Sequence, residues 1–79
     1  MIDAYIFVDM QPGYSNDAIS NINTITEAVK TSVISGDYDI IVRVHATDLN
    51  QLHHVSLTIQ KITGVTRTIT SVIEKELSI

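Results

Sequence analysis

The stretch SGDYDIIVRVHA, residues 35–46, joins a polar turn to an apolar strand and determines how the elements around it are arranged. Gly36 and Asp37 suit a turn in which the chain reverses. The apolar residues after the turn alternate along one strand face and are Ile40, Val42 and Val44. The preceding segment, residues 27–35, alternates imperfectly, as a less buried strand does. Two strands joined by so short a Gly-Asp loop predict an antiparallel hairpin.

A strand and a helix are predicted before this hairpin. AYIFVD, residues 4–9, has the length and the β-branched and aromatic content of a strand, and the QPG at residues 11–13 ends it. Ser15 or Asn16 can cap the helix that follows. Its apolar stripe recurs at spacings of three and four and consists of Ala18, Ile19, Ile22 and Ile25.

A second helix and a last strand are predicted after the hairpin. Asp48 begins the helix, Gln51 completes a capping-box-like pair, and Gly64 suits a left-handed cap at its end. The buried stripe of this helix is predicted to be Leu49, Leu52, Val55, Ile59 and Ile62. The last strand, residues 65–74, carries on one of its faces Thr66, Thr68 and Thr70.

The resulting order is β-α-β-β-α-β, and the two halves resemble each other. Ile22, Ile25, Thr26, Lys30 and Thr31 correspond, 37 residues later, to Ile59, Ile62, Thr63, Arg67 and Thr68. Two βαβ halves with right-handed crossovers predict an α+β, ferredoxin-like fold, with a four-stranded antiparallel sheet and both helices on one face. We expect Tyr5, Phe7 and Ile41 on the open face, which should pair with a second sheet. The predicted assembly is a dimer through sheet faces.

The size of the chain also favours association with another copy or a partner. Its 79 residues are enough for a single domain over residues 1–79, and so small a core is marginal on its own. There are no cysteines to supply disulfides, while 44% of the residues are apolar and only 18% are charged. Association with copies of itself or with a partner is therefore expected.

Charge and hydropathy exclude several classes of function. The formal net charge is −4, and the five basic residues are scattered, which argues against binding nucleic acid. The N-terminus lacks a basic segment followed by an apolar run, and no apolar stretch approaches the roughly 20 residues that a membrane span needs. The expectation is a cytoplasmic protein with neither a signal peptide nor a membrane segment.

Four motifs together resemble the effector-binding domain of the Lrp/AsnC family, also called the RAM domain. They are AYIFVD followed by PG, the segment SGDYDIIVRVHA followed by D and L, the segment IQKITGV, and TRTITSVI. The resemblance runs over about residues 3–75, and the G-D-Y-D turn and the G-V-T-R-T-I-T strand are its most specific parts.

The resemblance implies a function. Members of this family pair into dimers through their sheets, and the dimers assemble into rings, often octamers, with small effectors, usually amino acids, bound between dimers. Typical members carry an N-terminal helix-turn-helix domain, and the chain resembles the stand-alone form without one. This implies a module that regulates amino acid metabolism or transcription by sensing an amino acid, or by joining full-length Lrp/AsnC regulators. A direct role at an operator is placed in doubt.

Binding a free amino acid requires partners for an ammonium, a carboxylate and a side chain. Backbone N–H groups of the turn at residues 36–39 can meet the carboxylate, and Asp37 or Asp39 can meet the ammonium. Gly36 permits close approach, and Tyr38 offers an aromatic wall with a polar tip. Threonines from a neighbouring subunit would complete the cleft. The predicted ligand-binding residues are Gly36, Asp37, Tyr38, Asp39, Thr68 and Thr70.

Each of these residues also has a purely structural interpretation. Gly-Asp is a common turn pair, alternate threonines suit any strand, and Tyr38 can simply pack. The histidines do not predict a metal site, because His53 and His54 point about 100° apart on a helix and His45 has no second ligand nearby in the sequence. No motif for a catalytic nucleophile or a phosphate loop is present.

Two other classes of function remain as alternatives to the regulatory module, for which no cofactor and no enzymatic activity are expected. Dimeric α+β barrels with the same strand order include monooxygenases and isomerases, which would need His45 or an acid inside a roomy cavity. A purely structural oligomerisation module would have a cleft near Asp39 unsuited to an amino acid. The identity of the effector, the ring size and the target regulator do not follow from the sequence.

Overall fold

A computed structural model describes residues 1–78 of the chain. Its elements are β1 (Ile2–Met10), α1 (Ser15–Ile22), β2 (Ala28–Val33), β3 (Ile40–Ala46), α2 (Leu49–Gln60) and β4 (Val65–Val72). The four strands form one sheet in the order β2-β3-β1-β4, with every neighbouring pair antiparallel. The predicted βαββαβ order and the ferredoxin-like arrangement are confirmed.

The core lies between the helices and one face of the sheet. Strand residues that are fully or almost fully buried alternate with less buried ones, and the buried set is Ala4, Ile6, Val8, Met10, Ile40, Val42, Val44 and Ala46. The helices add Ala18, Ile22, Leu52, Val55 and Ile59 to the same cluster. Because side chains alternate across a strand, the intervening residues Tyr5, Phe7 and Ile41 lie on the open face, as predicted.

The start of α2 is as predicted, but one residue of its stripe is not. The Gln51 N–H donates to Oδ1 of Asp48 at 2.8 Å, and Oε1 of Gln51 accepts from the Thr47 N–H at 2.6 Å. Leu49, however, is 63% exposed. At 100° per residue it lies about 70° from the centre of the buried stripe, so it projects beside the core rather than into it.

The predicted cap of α1 is wrong. The N-cap residue is Tyr14, which makes no side-chain capping hydrogen bond, and Ser15 is already the first helical residue. The backbone C=O of Tyr14 accepts from the Ala18 N–H at 3.0 Å. The Tyr14 side chain is held instead against Gly64, whose φ is 92° and where a Cβ atom would collide with Tyr14.

The loop between β2 and β3 is longer than the predicted Gly-Asp turn, since β2 ends at Val33 and β3 begins at Ile40. Two backbone bonds explain this. The Ile34 N–H donates to the Asp39 C=O, and the Asp39 N–H donates to the Val8 C=O, both at 3.0 Å. Residues 34–39 therefore form a broad loop whose end is anchored on β1, and we call it the hairpin loop.

Candidate functional site

The six residues predicted to bind a ligand lie on either side of the C-terminal half of β1. Asp39, at the end of the hairpin loop, donates its N–H to the C=O of Val8. Thr68 on β4 stands opposite the same Val8 in the strand register. Because neighbouring strands are about 4.8 Å apart, the backbones of Asp39 and Thr68 are separated by about 10 Å.

Asp39 already has a structural partner. A register shift between Asp9 and Met10 interrupts the pairing of β1 with β4, and Oδ2 of Asp39 accepts a hydrogen bond from the Met10 N–H at 2.8 Å. Asp39 thus ties the hairpin loop to the end of β1, with one carboxylate oxygen committed. Gly36 and Asp37 are exposed in the same loop.

Tyr38 lies on the open face of the sheet between an aromatic ring and a guanidinium group. Its ring centroid is 5.3 Å from that of Phe7, with the two planes inclined by 48°. The Cζ atom of Arg67 lies 5.1 Å from the Tyr38 ring centroid, within the range of a cation–π contact. The Tyr38 ring therefore supports Arg67 as well as packing on Phe7.

The threonines of β4 face the other way. Oγ1 of Thr70 lies 3.2 Å from Oγ of Ser56 on α2, so this side of β4 faces the helix layer. Thr68 shares that side, because the two residues are two positions apart on one strand. Within one chain, Tyr38 and the two threonines consequently lie on opposite faces of the sheet, and the six predicted residues do not converge.

One charged pair beside the predicted residues was not anticipated from the sequence. Asp9 and Arg67 are direct partners in the register of β1 and β4. Nε of Arg67 donates to Oδ2 of Asp9 at 3.0 Å, and Nη2 lies 2.9 Å from the same oxygen. The available signal was that both are charged residues near the ends of largely uncharged strands. An open cleft of about 330 Å³ adjoins Arg67 and is lined by Gln60, Val65, Thr66, Arg67 and Thr68.

One further ion pair and one histidine–carboxylate hydrogen bond lie toward the other end of the open face. Nη1 and Nη2 of Arg43 are 3.1 and 2.7 Å from the two carboxylate oxygens of Glu76, and Nη1 also donates to the Tyr5 hydroxyl at 3.1 Å. The hydrogen bonds from Arg43 lower the pKa of Glu76. Nδ1 of His45 lies 2.8 Å from Oδ1 of Asp3, and this hydrogen bond lowers the pKa of the Asp3 carboxyl.

The histidines do not come together. His45 lies on the open face with Asp3, whereas His53 and His54 are exposed on α2. Over residues 1–78, no group of three or more His, Cys, Asp or Glu side chains is placed to hold a metal ion. In the same part of the chain no helix is long and apolar enough to cross a membrane.

Comparison with known proteins identifies the domain. The family model described as the Lrp/AsnC ligand binding domain matches residues 3–78. Among curated proteins, a homocitrate synthase of Sulfurisphaera tokodaii is 35% identical over 77 residues, which is 96% of this chain and 17% of the enzyme. The chain thus spans about a sixth of the length of this curated relative.

Two solved structures share the fold over nearly the whole chain. A protein of Thermus thermophilus superposes with a TM-score of 0.92 at 22% identity, covering 99% of both chains. A transcriptional regulator of Neisseria meningitidis, solved in complex with L-methionine, gives a TM-score of 0.90 at 22% identity and covers 98% of this chain and 52% of the regulator. At these identities the two structures establish the shared fold.

Proposed function

We propose that this chain, which belongs to the family of Lrp/AsnC ligand-binding domains, binds an amino acid effector and transmits its occupancy through the assembly of several copies. The family match over residues 3–78 carries the proposal. The amino acid class is supported by the Neisseria meningitidis regulator, which has the same fold and was solved with L-methionine. A ligand can act in this way only if its affinity differs between two assemblies.

In this proposal the ligand binds between copies of the chain. The hairpin loop supplies Gly36, Asp37, Tyr38 and Asp39, and a neighbouring copy supplies Thr68 and Thr70. The arrangement within one chain supports a shared site, because Tyr38 lies on the open face while the Thr70 hydroxyl faces α2. A single small molecule does not reach around the edge of a sheet to touch both.

The open face is the proposed dimer surface. Tyr5, Phe7 and Ile41 are partly exposed there, and Ile69 is 41% exposed. Pairing two such faces removes apolar surface from water and stabilises the dimer by about 25 cal/mol for each Å² buried. A domain of this size needs that stabilisation, because its own core is small. Ile41→Asp should therefore shift sedimentation velocity profiles toward the monomer. The matched control is His54→Asp, on an exposed position of α2.

The alternative of an enzyme with an internal cavity is disfavoured by the structure. That alternative required His45 or an acid to point between the helices and the sheet. His45 lies instead on the open face with Asp3, and the side chains that fill the helix–sheet space are apolar, among them Ile6, Ile22 and Ile59. The family and the regulator that shares its fold point to regulation rather than to catalysis.

The similarity to one part of a homocitrate synthase favours a second candidate function. In this version the domain senses an amino acid and controls a biosynthetic enzyme, in place of a regulator of transcription. The test is an assay of the homocitrate synthase from the same organism, with and without this chain and each of the twenty amino acids. A rate that is unchanged in every combination refutes this second candidate.

The leading proposal is tested by calorimetric titration of the chain with each of the twenty amino acids, together with melting curves. We expect heat and a raised melting temperature with at least one of them. Asp37→Ala should weaken that binding, whereas Asp17→Ala, which changes an exposed acid on α1, should not. The absence of heat and of a melting shift with every amino acid would refute the proposal.

A further inference from the structure

The open face of the sheet carries two arginines in closely similar surroundings. Cζ of Arg43 lies 5.5 Å from the Tyr5 ring centroid, and Cζ of Arg67 lies 5.1 Å from that of Tyr38. Each arginine also pairs with a carboxylate: Arg43 with Glu76, and Arg67 with Asp9. An aromatic ring and a carboxylate therefore hold each guanidinium group in place.

The two guanidinium groups differ in which edge they use. Arg43 directs its Nη1–Nη2 edge at Glu76, with one nitrogen for each carboxylate oxygen. Arg67 approaches Asp9 through Nε and Nη2, and both contacts go to Oδ2. Within residues 1–78, neither Nη1 of Arg67 nor Oδ1 of Asp9 has a hydrogen-bond partner. The fork that binds carboxylates bidentately is thus filled in Arg43 and open in Arg67.

We propose that the Asp9–Arg67 pair recognises the zwitterionic head group of an α-amino acid. The ligand carboxylate binds the open Nη1–Nη2 edge of Arg67, and the ligand ammonium binds Oδ1 of Asp9. This inference rests on the proposed function and names the groups that would perform it. It assigns the ammonium to Asp9 rather than to Asp39, one of whose oxygens is committed to the Met10 N–H.

The charges of the pair favour a zwitterion over other small molecules. The free oxygen of Asp9 and the free edge of Arg67 belong to one ion pair, held by contacts of 2.9 and 3.0 Å to Oδ2 of Asp9. A ligand that carries its ammonium and its carboxylate on the same carbon can meet each charge with its opposite while the protein pair stays intact. A simple carboxylic acid would bring its anion near Asp9 with no ammonium in compensation, and a simple amine would bring a cation near Arg67.

The pair is accessible to a ligand, since the Arg67 side chain is 58% exposed and that of Asp9 is 23% exposed. A cleft of about 330 Å³ on the other side of β4 lies at the lower end of the usual range for small-molecule sites, about 300–1,000 Å³. Thr68 and Gln60 of α2 line this cleft on the helix-facing side of β4, whereas the head group binds on the open face, so the ligand side chain enters such a cleft only where a neighbouring copy presents its own Thr68 and Thr70. The Tyr38 ring holds the guanidinium plane behind the head group.

The test is calorimetry with three probes on the full chain. The probes are the amino acid among the twenty that binds the wild type most tightly, its methyl ester and its N-acetyl derivative. Arg67→Gln should weaken binding of the free amino acid about ten- to hundredfold and leave the affinity for the ester nearly unchanged. Asp9→Asn should weaken binding of the free amino acid to a similar extent and leave the affinity for the N-acetyl derivative, which has no ammonium, nearly unchanged. Arg43→Gln is the matched control and should leave all three affinities unchanged.

The possible outcomes separate this inference from the proposed function. A wild type that binds none of the twenty amino acids overturns both. The inference alone is overturned if the wild type binds one of them and Arg67→Gln binds it equally well. It is also overturned if Arg67→Gln weakens binding of the free amino acid and of the ester to the same extent. If Arg67→Gln fails to fold, Arg67→Lys takes its place. The inference is also refuted without any variant if the wild type binds the ester as tightly as the free amino acid.

Discussion

Replacing Asp39 by alanine tests whether this carboxylate holds the sheet together or is free for a ligand. The side chain accepts the Met10 N–H at 2.8 Å, at the point where the register shift takes Met10 out of regular pairing. Met10 is only 9% exposed, so little water can replace the lost acceptor. Hydrogen bonds to charged groups contribute about 1.5–3 kcal/mol. Because the carboxylate itself is near the surface, we expect the low end, about 1.5–2 kcal/mol.

Thermal unfolding followed by circular dichroism measures this cost. For a domain of this size, 1 kcal/mol corresponds to about 4–8 °C in melting temperature, so Asp39→Ala should lower it by about 6–16 °C. The protein concentration must be the same in every sample, because self-association adds to the apparent stability. The far-ultraviolet spectrum at low temperature should not change, since one anchor of a loop is lost and not a core contact.

Two companion variants make the result interpretable. Asp39→Asn keeps an oxygen that can accept the Met10 N–H, so it should recover about half of the loss. Asp37→Ala removes an exposed carboxylate of the same loop and should change stability by less than about 0.5 kcal/mol. If Asp39→Ala and Asp37→Ala melt within about 1 °C of each other, the structural role assigned to Asp39 is refuted.

Three further predictions follow from other contacts. Gly64→Ala should destabilise the chain by about 2 kcal/mol in urea unfolding, because φ is 92° and the new Cβ meets the Tyr14 side chain, beginning with its Cβ; the double variant with Tyr14→Gly should recover part of that loss. Ile22→Ala should cost about 2–5 kcal/mol by the same measurement, since Ile22 is fully buried. The hydrogen bonds from Arg43 hold the folded-state pKa of Glu76 below its ordinary 4.5, so this ion pair stabilises the chain above about that pH and is lost as the pH falls through the lowered value. The stability difference between the wild type and Glu76→Gln should therefore be larger near pH 6 than near pH 3, and an equal difference at the two would contradict this.

The architecture followed from local patterns because the two inner strands of the sheet, β1 and β3, repeat their burial at a period of two. Ile40, Val42 and Val44 were assigned to one face from their spacing alone, and all three are fully buried. The capping pair of α2 could also be predicted from the sequence, because Asp48 and Gln51 interact within one turn of helix. Such features depend on relations between residues two to four positions apart, which a sequence displays directly.

The errors arose where a distant part of the chain decides local structure. The hairpin loop is broad because Asp39 bonds to Val8 and Met10, which lie about 30 positions earlier. No sequence pattern within residues 34–39 indicates that Asp39 would bond to these two residues. The start of α1 was misplaced for a similar reason, since Tyr14 packs on Gly64 and occupies the position that a capping serine would otherwise take.

The candidate site shows how strand register assigns roles that composition cannot. The sequence offered two acids in a glycine turn and a run of threonines, and the sheet places Tyr38 and Thr70 on opposite faces. Asp9 and Arg67 are 58 positions apart and look like unrelated charges until the register makes them direct partners. The Tyr38 ring packs against Arg67 of this pair, and the hairpin loop that carries the ring is anchored on β1. If the proposed Asp9–Arg67 site binds the amino acid, a change that frees the loop from β1 should weaken that binding even where every ligand-facing group is retained.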